Sequence, residues 1–344
     1  MATYINSIAS IVPQDFTQEF CVPQTDNFKA IEPNYQAFIS SGDQRRMSRL
    51  VKMGVFSALQ CIESANLQQV DGIAVGTGWG GFDSSTKFET ALIEKEEKML
   101  SPTTFIQALH NTIAGQIALS MKCYQYNITY AHRGFSFESA LMDAIMLLGD
   151  KEESQSILVG GVDELPELRT EMYRRAGYVK SSYERVESPK QAAIIPGEGA
   201  TFTIVSSEKN DKTLAQLLSM SLLYNPISSQ EVNQEVISLL EKNDLTINQI
   251  DLVLLGNSGN TLWDSKITEL KKSLFSENDS IYFKNLCGEY PTSTAFALEV
   301  ATNYLTQNLP LSMFDFPMNH EAKFALIINQ FRDTNYSFIL ITKP

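Results

Sequence analysis

Asp71-Gly72-Ile73-Ala74-Val75-Gly76, running into Thr77-Gly78-Trp79-Gly80-Gly81, is the stretch on which the fold turns. Its first part reads as a short, continuously apolar strand, and its second part as a glycine-rich turn. The pattern returns at Ile157-Leu158-Val159-Gly160-Gly161, after a helix expected over residues 137–148. An apolar strand without alternation is buried on both faces. Such strands alternating with helices indicate a mainly parallel sheet covered on both sides. The turn lacks the G-x-G-x-x-G spacing and the G-K-[ST] of a phosphate cradle, so it reads as a strand end.

Upstream, Leu50, Val51, Val55, Ala58, Leu59 and Ile62 recur at helical spacing, with Asp43 as the expected N-cap. Downstream, residues 169–191 turn polar and aperiodic, which predicts an exposed excursion. A strand over 201–205 and a charged linker over 206–213 follow. The alternation then repeats: strands near 214–223 and 250–255, helices near 230–241, 264–274 and 293–305, and closing strands at 324–328 and 337–341. Two similar α/β halves are therefore expected, residues 1–207 and 208–344.

The chain carries 27 Lys+Arg against 40 Asp+Glu, a net charge of −13, and no basic cluster offsets it. Such a surface repels phosphate backbones, so nucleic acid is not an expected partner. With 43% hydrophobic and 19% charged residues the chain can bury a core, which excludes wholesale disorder. No apolar run reaches the roughly 18 residues needed to span a bilayer. The opening MATYINSIAS lacks the basic-then-apolar layout of a signal peptide, so the expected location is the cytoplasm. Cys21, Cys61, Cys123 and Cys287 are too sparse for a disulfide framework, and neither they nor His110, His132 and His320 stand at metal-ligand spacing. No metal and no cofactor are expected.

A series of ordered landmarks resembles the β-ketoacyl-acyl-carrier-protein synthases, condensing enzymes of the thiolase fold. Tyr4-Ile5-Asn6-Ser7-Ile8 is similar to the family's opening strand, and Arg45-Arg46-Met47-Ser48-Arg49 to the start of its first helix. His110-Asn111-Thr112-Ile113-Ala114-Gly115-Gln116 resembles the segment lining the acyl pocket beside the dimer interface. Gly160-Gly161-Val162-Asp163-Glu164 and Gly197-Glu198-Gly199-Ala200 match two further markers, and Ile250-Asp251-Leu252-Val253 the strand that delivers an active-site histidine. The resemblance implies an α/β thiolase-like fold, with internally duplicated βαβαβ halves in an αβαβα layered sandwich.

The family's reaction uses a cysteine at a helix N-terminus, two histidines and a lysine. Carried over residue by residue, the resemblance puts Gly134 of Ala131-His132-Arg133-Gly134-Phe135-Ser136 at the cysteine position. It puts Gly256 at the first histidine and Glu289 at the second, and it retains Lys284. The family's C-terminal glycine-rich loop is matched only by the shortened Asn329-Gln330-Phe331-Arg332-Asp333-Thr334-Asn335. A glycine offers no nucleophile, and losing every member of a cooperating set removes the mechanism.

The resemblance is then to the chain-length-factor subunits that pair with an active ketosynthase in fatty-acid, polyene or polyketide synthesis. It implies a heterodimer with a catalytic β-ketoacyl synthase, with acyl carrier protein engaged only indirectly. Phe105, Ile106, His110, Phe135 and Phe331 are the expected tunnel or interface residues. Arg133 is expected as a polar plug satisfied by Glu138 or Glu289, and Lys284 as the neutraliser of Glu289. Two other readings stay open: an acyltransferase or hydrolase whose nucleophile has moved to Cys287 or Ser136, and a stand-alone acyl-binding protein.

Overall fold

Residues 2–16, 27–149, 154–179, 193–309, 319 and 321–344 are described by a computed structural model. Cys21, His320 and residues 180–191 of the polar excursion lie outside them. The first half contains β1 (Thr3–Ile11), α1 (Ser41–Gln44), α2 (Arg49–Ser64), β2 (Gly72–Gly76), α3 (Phe82–Glu94), α4 (Pro102–Ala108), α5 (Thr112–Met121), β3 (Tyr126–Tyr130), α6 (Ser136–Gly149), β4 (Ser156–Asp163), α7 (Glu167–Arg175) and β5 (Gly199–Ser206). The second contains β6 (Ala215–Tyr224), α8 (Ser229–Glu241), β7 (Leu252–Gly256), α9 (Ser265–Leu274), β8 (Ser280–Tyr282), α10 (Lys284–Cys287), α11 (Ser293–Leu305), β9 (Phe324–Phe331) and β10 (Asn335–Thr342).

Five strands in the order β3-β2-β4-β5-β1 are followed by five in the order β6-β10-β9-β7-β8. Counted outward from the junction, the second set repeats the first with every number raised by five. The pairing repeats too. β2 runs parallel to β3 and β4, as β7 does to β8 and β9, while β5 and β10 are antiparallel to both neighbours. The two sets meet where β1 and β6 pair over three residues, Thr3–Leu217 to Ile5–Ala215, so hydrogen bonding is continuous across ten strands.

Three apolar cores define the layers. Leu50 and Val55 of α2 and Ile113 and Ile117 of α5 cover one face of the first sheet through Ile73, Leu158 and Phe202. Val232 of α8 and Ile267 of α9 cover the far face of the second through Val253, Leu326 and Phe338. Between the sheets, α6 and α11 share one core with Ala74 and Ile157 on one side and Leu254 and Ile327 on the other. This is the αβαβα sandwich, and it explains the continuously apolar strands. Ile73 faces the outer helices while its neighbour Ala74 faces the central ones, so neither face meets water. Of α11, only Asn303 is absent from the buried set, as a helix held between two sheets requires.

Two local expectations change. Ser48, not Asp43, caps α2, its hydroxyl accepting from Val51 N at 3.3 Å. Asp43 sits in the one-turn α1, and the chain leaves the helix before Ser48. The start of the polar excursion is not irregular but forms α7, which buries Thr170 and Tyr173. Elsewhere Glu198, fully buried on the bend into β5, is satisfied by Arg49 at 2.8 and 2.9 Å and by the amides of Ala30 and Leu165. That network fastens α2 to the first sheet at β5, because a buried carboxylate is tolerated only when its lone pairs are occupied. Among the described residues, no helix is long and apolar enough to cross a membrane.

Candidate functional site

The corner between β3 and α6 is a single 3-10 turn over Arg133–Phe135. Arg133 takes φ +51°, the left-handed region that is strained for a side-chain-bearing residue, so the sharpest point of the corner is Arg133 and Gly134 follows it. Ser136 ties the corner to the helix. Its hydroxyl accepts from His132 N at 2.8 Å and lies 2.8 Å from Arg133 O and 3.2 Å from Thr77 O. Residues 131–136 are Ala, His, Arg, Gly, Phe and Ser, so no position of this corner carries a thiol.

Gly134 is not an empty socket. A Cβ built on it would lie 2.4 Å from Phe331 Cβ and 2.7 Å from Phe331 Cγ, closer than real Cβ contacts come. The same holds at the end of β7, where a Cβ on Gly256 would meet Asn329 Oδ1 at 2.2 Å and Asn329 Cα at 2.9 Å. Asn329 and Phe331 are two apart on β9 and therefore point to one face. One face of one strand thus fills both places. Asn329 is held there by a bond from its Nδ2 to Thr294 Oγ1 at 2.7 Å. Thr294 in turn donates to Glu138 Oε1 at 2.5 Å, which also accepts from Ser337 at 2.9 Å. Burial pushes the Glu138 carboxyl up to about 7, against the pull of those two hydroxyls.

Gln330 points the other way. Its Nε2 donates to Asp264 Oδ1 at 2.9 Å, and its carbonyl accepts from Lys284 Nζ at 2.5 Å. Lys284 and Glu289, both buried, form an ion pair at 2.7 Å. Burial pushes the Glu289 carboxyl up and the lysine beside it pulls it back. Arg133 does not become the expected plug: it is exposed, while Glu138 is held by hydroxyls and Glu289 by Lys284. The shortened segment over residues 329–335 forms a tight hairpin between β9 and β10, in which Arg332 and Asp333 take φ +55° and +58°. Asp333 is anchored by Lys266 at 2.8 Å and by Tyr336 Oη at 2.6 Å.

Cys287 is fully buried and its thiol is pushed far above the ordinary range, chiefly by burial. Ser136 is fully buried and spent on the corner. Phe135 lies beneath the corner at 4% exposure, whereas Phe105 and Ile106 on α4 are each 49% exposed. His110 packs its ring against Gly80 in the turn after β2. The amides of Gly78 and Trp79 in that turn donate to Asp163 at 3.0 and 2.8 Å, so they hold this chain's own carboxylate. Among the described residues no group of three or more His, Cys, Asp or Glu could hold a metal ion.

The space left above Phe331 is an open cleft of about 690 Å³. His132, Arg133, Arg169, Arg332, Trp79 and Tyr224 are among the residues lining it. Sequence reasoning missed Arg169 and Arg332 as site residues. The first stands in the stretch read as exposed coil, and the second in a loop read only for its missing glycines.

The profile described as Beta-ketoacyl synthase, N-terminal domain, matches residues 23–222, more than half of the chain. The 3-oxoacyl-[acyl-carrier-protein] synthase 2 of Vibrio cholerae serotype O1 is 27% identical over 154 residues, 39% of this chain and 37% of its own length. That of Vibrio harveyi is 25% identical over 152 residues, 39% and 36% of the two chains. The chain thus spans little more than a third of these curated relatives. Among solved structures, the ishigamide ketosynthase/chain length factor superposes with TM-score 0.79 at 12% identity, covering 100% of this chain and 99% of its own. A ketosynthase in complex with its chain length factor from Xenorhabdus doucetiae gives 0.79 at 13% identity, covering 100% and 98%. At such identities the likeness concerns the thiolase-like fold.

Proposed function

This chain belongs to the β-ketoacyl synthase family, and we propose that within it the protein is a non-catalytic, chain-length-factor-like subunit that pairs with an active ketosynthase and shapes its acyl tunnel. The observation that carries the reading is the β9 face, on which Asn329 and Phe331 occupy the spaces beside Gly256 and Gly134. No thiol stands at the corner, and a single substitution there meets a filled space. The relocated-nucleophile reading has little to stand on, because Cys287 is buried with a raised thiol and Ser136 is engaged in capping.

Partnering is supported by the surface. Phe105, Ile106 and Leu109 of α4 and its flank, Leu119 of α5 and Tyr126 of β3 are exposed, and β3 ends the sheet with one side unpaired. An apolar face beside an open sheet edge calls for a covering surface. The carrier protein of the partner, being acidic, is poorly suited to a −13 surface, which leaves its docking to the ketosynthase. The pathway served is one of fatty-acid, polyene or polyketide type.

Co-expression with catalytically intact ketosynthases, followed by size-exclusion chromatography, tests the proposal. A stable 1:1 complex burying well over ~1,200 Å² is expected. Incubation with radiolabelled acyl-carrier or acyl-CoA donors should leave this chain unlabelled after denaturation. A chain that stays monomeric or self-paired beside every such ketosynthase removes the reading. Stoichiometric label erased by Cys287→Ser moves it to relocated chemistry.

A further inference from the structure

We propose that the cleft above Phe331 is a receptor for a small ligand carrying two oxyanion groups, bound by Arg133, Arg169 and Arg332. On a chain of net charge −13, three guanidiniums line one cleft to which no Asp or Glu of the described residues contributes, and none of the three forms an ion pair with a described carboxylate. Arg332's charge also reaches Glu289, but that carboxylate is buried and held by Lys284 2.7 Å away.

What surrounds Arg169 and Arg332 is aromatic. The Arg169 guanidinium lies 4.6 Å from the Trp79 ring centre and 4.0 Å from that of Phe82. Its buried Nε has no hydrogen-bond partner among the described residues. Arg332 stands within 5.4–5.9 Å of the rings of Phe331, Tyr178, Tyr173 and Trp263. Contact with aromatic rings holds a guanidinium in place without neutralising it; Arg332 also donates from Nη2 to Tyr173 Oη at 3.5 Å, and its remaining N–H donors are left for a ligand. An ion pair would have consumed them.

The strain points the same way. Arg133 and Arg332, both lining the cleft, occupy left-handed backbone positions. Glycine or asparagine would sit there more easily, so arginine at both is favoured by something other than the turns.

The class of ligand follows from number and size. One oxyanion is met by one bidentate guanidinium. Three guanidiniums beside the His132 imidazole exceed what a single phosphate or carboxylate uses, and about 690 Å³ leaves room for a second group and an organic body against Trp79 and Tyr224. The inference does not depend on the subunit reading, since it concerns a ligand and not a partner chain.

Calorimetric titration of the full chain at low salt, with inorganic pyrophosphate, succinate and inorganic phosphate as separate probes, tests it. Saturable binding of pyrophosphate or succinate near one per chain is expected, tighter than that of phosphate. Pyrophosphate alone points to a phosphate-bearing ligand, and succinate alone to a dicarboxylate. Arg332→Gly removes a charge at a backbone position glycine prefers, so its melting temperature should hold while affinity falls at least tenfold. Arg169→Gln should do the same without touching the hairpin. Absence of saturable binding, phosphate binding as tightly as both larger probes, or affinity unchanged in Arg169→Gln and Arg332→Gly overturns the proposal.

Discussion

β4 and β9 hold the same place in the two halves, each beside the strand that ends at the site, and they use it in opposite ways. β4 closes on Gly160-Gly161-Val162-Asp163. Its glycines give up side chains so that Phe202 and Thr292 can approach, and Asp163 ties down the turn after its neighbour β2. β9 closes on Asn329-Gln330-Phe331, and there the neighbours give way: Gly256 of β7 and Gly134 of the corner are notched around its side chains. One strand makes room and the other fills it. A second difference lies outside the core, where β2 and β3 are joined through α3, α4 and α5 while β7 and β8 are joined through α9 alone. A duplicated fold has thus been differentiated at one buried strand and one exposed insertion.

The largest effect is expected where the filled side is anchored. Lys284 holds both Glu289 and the Gln330 carbonyl, so Glu289→Leu leaves a buried ammonium with one neutral acceptor. Breaking a buried pair from one side costs about 3–5 kcal/mol. Urea unfolding should show that loss for Glu289→Leu, and clearly less for the double variant Glu289→Leu/Lys284→Met. Equal losses in both would mean that the pair does not secure β9.

Gly256→Ala and Gly134→Ala test the notches themselves, each expected to cost about 1–3 kcal/mol as overpacking. Gly256→Ala should be the worse, because it meets backbone at Asn329 Cα, whereas Gly134→Ala meets a side chain. Phe331→Ala should relieve Gly134→Ala more than Asn329→Ala relieves Gly256→Ala. Additive losses in the Gly134–Phe331 cycle would separate the two residues and break the comparison.

Beneath the filled side, Glu138 keeps its proton up to about pH 7, against an ordinary value of 4.5. The folded state therefore binds more protons than the unfolded one between those values, and unfolding free energy from this group falls as pH rises through the window. Asp163, raised to about 6 by burial against four donors, acts in the same direction over a lower and narrower window. Glu138→Gln should flatten the decline in stability measured between pH 5 and 7.5. An unchanged slope would place the proton elsewhere, with Glu164 and Glu299, both raised to about 7 by burial, as the next carboxyls to replace.

How much of this the sequence carries differs with range. Strands buried on both faces are legible as apolar runs, and α11 as a long apolar helix, because their neighbours impose one kind of residue along the whole element. α3 is nearly illegible: it buries only Ser84, so it has no apolar stripe to show. α7 is hidden for the same reason, its buried Thr170 and Tyr173 lost among charges. At the site, the glycines are legible only through resemblance to a family that has side chains there. That Phe331 reaches Gly134, and Asn329 reaches Gly256, is a matter of strand order, and no local pattern encodes which distant residue fills a notch. The aromatic cage of Arg332 is drawn from α7, the Trp263 segment and the hairpin, and it is invisible for the same reason.

The smallest effect on the chain itself is expected on the exposed insertion, and there the readout must be the partner's. Phe105 and Ile106 are half-exposed on α4, and Phe105 touches only the Phe88 ring at 5.4 Å among the ring contacts of the described residues. Truncating either should change the stability of the isolated chain by about 0.5 kcal/mol or less, as at other surface sites. If α4, α5 and β3 form the face that covers a ketosynthase, the same substitutions act across the interface. The resemblance places this segment beside the acyl tunnel, where bulk limits the growing chain. Phe105→Ala in a purified heterodimer should then shift products to greater length while the partner's own catalytic residues stay untouched, with Ile106→Ala doing the same to a lesser degree. A complex whose products ignore both substitutions would reduce the insertion to a stabilising surface. The difference between the halves would then be one of assembly and not of chain length.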